Sequence, residues 1–166
     1  LKLSAQFPRD GVKWTADGNG YYKLQGKAIL KVDLRTGEET DLVKRELLAG
    51  LPTSVAAFSI SNDNNKILIF TNTAIVWRYK TRGDYWVLDI KAKKLTQLGK
   101  SLPSQSLMYA KFSPDGKSVA YVSEKNIYSE DISSNKIKQL TFDGTRKLIN
   151  GTFDWVYEEE FQCRDG

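Results

Sequence analysis

Residues 154–161 read DWVYEEEF, which sets Glu158, Glu159 and Glu160 side by side after Asp154. Adjacent carboxylates repel one another, and a run of glutamates is ordinarily a solvated face, so chemistry here requires a cation to hold. Neighbouring residues on a strand project to opposite sides, so Glu159 and Glu160 converge on one cation only if the segment is a turn or a short helix. That requirement predicts a helical turn at 156–161. The second candidate is Arg78, beside Trp77 in FTNTAIVWRYKTRGDYWVLD (70–89). Two carboxylates in one site raise each other's pKa, and a guanidinium nearby offsets that rise. Asp154, Trp155 and Tyr157 are read as packing and support for the turn, Glu158 as a local cap or ion pair, and Trp77 as a surface on which Arg78 can stack.

Several other chemistries are excluded by what the chain lacks. There is no histidine and one cysteine, Cys163, read as a buried or idle thiol, so no zinc set and no internal disulfide can form, and no cofactor or metal is expected. A Ser-His-Asp hydrolase needs an imidazole, and no G-x-S-x-G elbow occurs. Gly99-Lys100-Ser101 imitates the end of a phosphate-binding loop, but the upstream glycine position holds Lys94. Asp63 in SNDNNK lacks calcium-loop spacing and reads as a turn, and Asn150-Gly151-Thr152 is a glycosylation sequon. The net charge of +5 falls wholly on residues 1–83, and the lysines sit singly or in turn-like groups such as KAKK, without the stripe that nucleic acid binding requires. No apolar run reaches the length of a bilayer span, and LKLSAQFPRDG lacks a signal-peptide layout; Leu1 in place of Met suggests an upstream segment.

What must position these groups is a repeat. Trp14-Thr-Ala-Asp-Gly and Phe112-Ser-Pro-Asp-Gly share an aromatic residue followed by Asp-Gly, and Phe58-Ser-Ile-Ser-Asn-Asp is a looser copy, one residue longer. Each runs into alternating apolar residues and ends on an Asp-apolar pair, with 19 residues from Trp14 to Asp33 and 19 from Phe112 to Asp131. Asp-Gly supplies a tight turn and the flanking Val, Ile, Tyr and Phe suit pleated strands, so each unit is a four-stranded antiparallel meander. Units begin 44 and 54 residues apart, close to the length of a β-propeller blade. The expected fold is all-β: about three blades, roughly 7–50, 51–100 and 101–145, with an insertion at 146–166 carrying the glutamates. A β-sandwich is the alternative. The middle unit is 12 residues longer than the others, and that surplus contains Arg78. Arginine and glutamates thus both fall where the repeat is broken, the usual mounting point for function on a repeat scaffold.

FSISNDNNKILIF, IVWRYKTRGDYWVLDI, KFSPDGKSVAYVSEKNIY and, most specifically, NGTFDWVYEEEF occur in an order that resembles the propeller domain of the dipeptidyl peptidase IV family. The resemblance covers nearly the whole chain. It implies part of an eight-bladed propeller that caps an α/β-hydrolase domain, absent from these residues, in a serine peptidase that removes dipeptides from free N-termini with proline or alanine second. It implies further that Glu159 and Glu160 hold the substrate's α-ammonium group and that Arg78 contacts a substrate carbonyl. The catalytic residues would lie outside this chain, leaving it inactive alone. Peptides with a free N-terminus are the expected partners, with a homodimer possible and no nucleic acid; an extracytoplasmic location follows from the kinship. Because three blades do not close a ring, the piece is expected to associate through an edge or to be marginally stable alone. The alternative function is a non-catalytic propeller that binds a protein partner.

Overall fold

The computed structural model describes residues 12–161 and 163; positions 7–11 of the first expected blade, and 162 and 164–166 of the expected insertion, lie outside the described residues. The strands run antiparallel in three meanders. The first is β1 (Val12–Trp14), β2 (Gly20–Gln25), β3 (Ala28–Asp33) and β4 (Glu39–Val43), hydrogen-bonded in that order. A short 3-10 turn at Arg45–Leu48 leads to β5 (Val55–Ile60), β6 (Lys66–Val76), β7 (Tyr79–Asp89) and β8 (Lys94–Gln97). The third meander is β9 (Leu107–Phe112), β10 (Ser118–Ser123), β11 (Asn126–Asp131) and β12 (Ile137–Gln139). The chain is therefore all-β, with about three propeller blades. Blades two and three are joined into one sheet, because β7 also pairs with β9 through Arg82↔Met108 and Gly83↔Leu107.

The middle blade is buried on both faces, which explains its nearly continuous apolar strand KILIF. With a side-chain period of two, Ile67 and Ile69 face blade one, among Tyr22, Ile29, Val43, Leu48 and Phe58. Leu68 and Phe70 face blade three, among Tyr85, Leu107, Val119 and Tyr121. Each fully buried aliphatic or aromatic side chain here contributes about 1.5–3 kcal/mol. A buried carboxylate, Glu130, fastens the connection after β8 to blade three: it accepts the Gly99 N–H at 2.8 Å and the Tyr121 hydroxyl at 2.9 Å. Burial, with that carboxylate beside it, holds the Tyr121 phenol above its ordinary pKa.

The repeat is most exact in its turns. Thr15, Ser61 and Ser113 each donate a hydroxyl hydrogen bond of 2.6 Å to the aspartate two residues on, Asp17, Asp63 and Asp115. The same hydroxyls accept the backbone N–H of Gly20, Lys66 and Ser118 across the loop. At the other turn of each blade, Asp33, Asp89 and Asp131 accept the N–H of Thr36, Ala92 and Ser134, each at 2.8 Å. This geometry corrects the frame of the middle copy. Its anchor is Ile60-Ser61-Asn62-Asp63, not Phe58, because the hydroxyl–carboxylate pair sets the register while the preceding apolar side chain only packs; the surplus in this blade is then 10 residues instead of 12.

These turns make stability depend on acid. Hydrogen bonds from the hydroxyls of Thr15 and Ser133 first, and then from backbone N–H groups, hold Asp17 and Asp131 at about 2; the hydroxyls of Ser61 and Ser113 are likewise the first cause that lowers Asp63 and Asp115, whereas Asp33 is lowered chiefly by the backbone N–H groups of Thr36 and Arg35. A carboxylate whose pKa is depressed on folding stabilises the fold above its unfolded value, near 4, and loses that stabilisation as pH falls through the folded value. The melting temperature, followed by circular dichroism, is therefore expected to hold down to about pH 4 and then fall steadily toward pH 2. A flat profile over that interval would show that the turns carry no such linkage.

Candidate functional site

Arg78 is delivered by an arm. The pairing of β6 with β7 is regular from Lys66↔Asp89 to Thr71↔Asp84, then shifts, with Ala74 opposite Arg82. One extra residue has entered β6, and Asn72 there has a φ of 47°. This is a β-bulge, a device that bends and re-aims the strand that carries it. Beyond it the register shifts once more, with one extra residue in β7, and the hairpin ends at Val76↔Tyr79, leaving Trp77 and Arg78 as a two-residue loop. Trp77 takes a φ of 53°, the left-handed backbone that primed hairpin turns require and that a bulky residue adopts only at a cost of about 1–2 kcal/mol. Trp77 as a whole is 52% exposed.

The glutamates are delivered by the segment after β12, which lies over the β10–β11 hairpin. Asn150 donates its backbone N–H to the Lys125 carbonyl at 3.1 Å and its amide to Asp143 at 3.0 Å, and Gly144 donates to Asn126. Gly151, at a φ of 76°, presses so closely on this hairpin that a Cβ would stand 2.6 Å from Val122 and 3.0 Å from Ile127. Only glycine fits there. The chain then reverses: the Asp154 carboxylate accepts the N–H of Val156 at 3.0 Å and of Tyr157 at 3.1 Å, opening a helical turn over Val156–Glu160. The turn is wide, closed by the bond from the Phe161 N–H to the Val156 carbonyl. Tyr157 stacks on Phe153 and meets Phe161 at a tilt, with ring centroids 5.5 and 5.6 Å away, whereas Trp155 is 53% exposed.

Because the segment is helical, the three consecutive carboxylates fan around its axis. Glu158 points inward and is 1% exposed, the Glu159 side chain is 5% exposed, and Glu160 faces solvent. Glu159 meets the arm: its Oε2 lies 2.9 Å from Arg78 Nε, while the Arg78 side chain is 74% exposed. The structure thus brings together two of the expected residues, Arg78 and Glu159, whereas Glu160, expected to converge with Glu159, turns outward to solvent, because successive residues of a helical turn project in different directions. Arg78 compensates the charge of the sunken carboxylate and leaves most of its own N–H donors to other acceptors. Cys163 is exposed, not buried; its thiol donates to the Phe161 carbonyl. Among the described residues no group of three His, Cys, Asp or Glu side chains is arranged to hold a metal ion.

A network at the root of the arm escaped the sequence reading. Asp84, 6% exposed, accepts the Asn72 amide at 2.7 Å through one oxygen and the Gln105 N–H at 2.7 Å through the other; the Gln105 amide donates to the Asn72 oxygen at 2.9 Å. The only hint in the sequence is the polar TNT interruption (71–73) in a strand that is otherwise apolar.

Comparison with known proteins gives a consistent result. The family model for the dipeptidyl peptidase IV (DPP IV) N-terminal region matches residues 61–166. The chain is similar to a probable dipeptidyl-aminopeptidase B of Aspergillus niger, 32% identical over 166 residues that cover 90% of the chain and 18% of the relative. A probable dipeptidyl-aminopeptidase B of Aspergillus oryzae is 37% identical over 100 residues, 60% of the chain and 11% of the relative. Among solved structures, dipeptidyl peptidase 4 of Porphyromonas gingivalis superposes with a TM-score of 0.80 at 27% identity, over 93% of the chain and 22% of that protein. The chain spans less than a fifth of the length of these curated relatives.

Proposed function

This chain belongs to the dipeptidyl peptidase IV family, and from that premise we propose that it is the substrate-anchoring part of the propeller of a serine-type dipeptidyl aminopeptidase. Glu159 and Glu160 hold the α-ammonium group of a peptide substrate, and Arg78 holds the carbonyl that follows it. The observation that carries this reading is the Arg78–Glu159 pair, 2.9 Å apart across two separate departures from the blade repeat. An α-ammonium keeps its charge below a pKa of about 7.7–8 and offers three N–H donors, which two carboxylates satisfy with charge-assisted bonds. A blocked or internal peptide offers no such group. With the substrate's end fixed, the scissile bond stands a set number of residues from the anchor, so the same contact that selects free N-termini also measures the dipeptide.

Family membership further supports an α/β-hydrolase domain that supplies the catalytic residues, a preference for proline or alanine before the scissile bond, and a location outside the cytoplasm. Homodimerisation rests on the same kinship, and the blade limits of 7–50, 51–100 and 101–145 are our assignment. The test is the substrate's own amine. In the complete enzyme, acetylation of that amine is expected to lower kcat/KM by about 100-fold or more, since it leaves two carboxylates without their ionic partner. Equal turnover of blocked and free peptides would leave the propeller as a protein-binding module with no part in anchoring.

A further inference from the structure

We infer that Asp84 is a positioning residue for substrate binding: with Asn72 and Gln105 it forms a closed bracket that aims the arm, and hence Arg78, at Glu159. The inference rests on the anchoring role proposed above for Arg78. The arm leaves the regular sheet at Thr71↔Asp84, so the bracket stands at the first of the two register shifts that set its direction. Three constraints converge there. Asn72 holds the left-handed bulge conformation, with its N–H bound to the Thr53 hydroxyl at 2.8 Å and its amide bound to Asp84. Asp84 in turn binds the backbone of Gln105, in the connection that leads into β9, so one carboxylate ties the arm's root to blade three. On that side β7 also pairs with β9. Gly83 has no room for a side chain: a Cβ would lie 2.6 Å from the Phe70 ring and 2.7 Å from the Thr71 carbonyl oxygen. Strands, bulge and bracket together lean the arm away from its own blade and over the next.

That lean is what the site needs. The glutamate turn follows blade three, while Arg78 belongs to blade two, so the two meet only if the arm crosses between blades. The Arg78–Glu159 contact is itself weak as a tether, because the guanidinium is largely in solvent. Asp84, buried and hydrogen-bonded through both oxygens, is better placed to hold the geometry. Misplacing a positioning group by about 1 Å can cost up to 100-fold in rate.

The experiment is a double-mutant cycle on kcat/KM in the complete enzyme, with a free-amine dipeptide substrate. Asp84→Ala is expected to lower kcat/KM about tenfold or more, chiefly through KM, and to have almost no effect when Arg78→Ala is already present. Asp84→Asn should retain most of the activity, since an amide can keep both contacts if the Asn72 and Gln105 side-chain amides turn over. Asn72→Gly preserves the left-handed backbone while deleting the amide; it should reproduce the loss and its dependence on Arg78 even if Asp84→Ala folds poorly. A loss of the same size in the Arg78→Ala background, or no loss at all, would overturn the inference while leaving the anchoring role intact. An Arg78→Ala enzyme as active as the parent would instead remove the anchoring role of Arg78, and the inference with it.

Discussion

Glutamine at position 159 is expected to lower kcat/KM toward free-amine dipeptide substrates by about 100-fold in the complete enzyme, with the loss mainly in KM. Gln has the shape of Glu but brings an N–H2 group toward an ammonium ion, so one charge-assisted bond is lost and a donor faces a donor. Hydrogen bonds to charged groups are worth about 1.5–3 kcal/mol each, which is roughly 10- to 150-fold. The Glu159 side chain, 5% exposed, belongs at the upper end of that range because little water remains to replace the lost bond. The same substitution at Glu160, which faces solvent, should cost about tenfold. Stability should hardly change in either case, since an ion pair with one largely exposed partner contributes at most about 1 kcal/mol. Kinetics with substrates of graded length, set beside melting curves of the same variants, separate the two effects. Loss of an anchoring group bound equally in ground and transition states raises KM and leaves kcat alone.

The largest expected change in stability lies elsewhere, at Ile69. Its side chain is fully buried where blades one and two meet, paired on the backbone with Phe58 in β5 and Trp86 in β7. Ile69→Ala removes three carbons from that layer, and neighbours held by sheet hydrogen bonds on both sides cannot collapse into the space. The expected loss is about 3 kcal/mol, or roughly 6–12 °C in melting temperature for a domain of this size. Ile75→Ala, on the arm and 62% exposed, is the matched control and should stay within about 0.5 kcal/mol of the parent. If both substitutions cost the same, the two-sided core of the middle blade is not what holds the blades together.

How far the sequence reaches depends on how local the chemistry is. The Asp-Gly turns are legible because each is closed within a few residues by one hydroxyl and one carboxylate, and the same offset recurs in separate blades. The helical turn at the glutamates is legible for a similar reason: adjacent carboxylates cannot converge on a strand. The frame of the middle copy misleads because Phe58 resembles an anchoring aromatic, whereas the residue that sets the frame is Ser61, whose neighbour Ile60 has no ring. Nothing in three identical letters says that Glu158 turns inward and Glu160 outward; that follows from how the turn sits on blade three. The bracket at the arm's root is hidden for the opposite reason, since its bonds join residues 12 to 33 positions apart. Such contacts exist only once the blades are stacked.

The central claim is that the Glu159 carboxylate meets the substrate's ammonium ion, and the most direct measurement varies both partners at once. kcat/KM is determined for the parent enzyme and for Glu159→Gln, each with a dipeptide substrate and with its analogue in which hydrogen replaces the α-amino group. If the two groups touch, the substitution costs about 100-fold on the amine and less than about twofold on the analogue, since nothing remains there for the carboxylate to hold. An equal loss on both substrates would contradict the account.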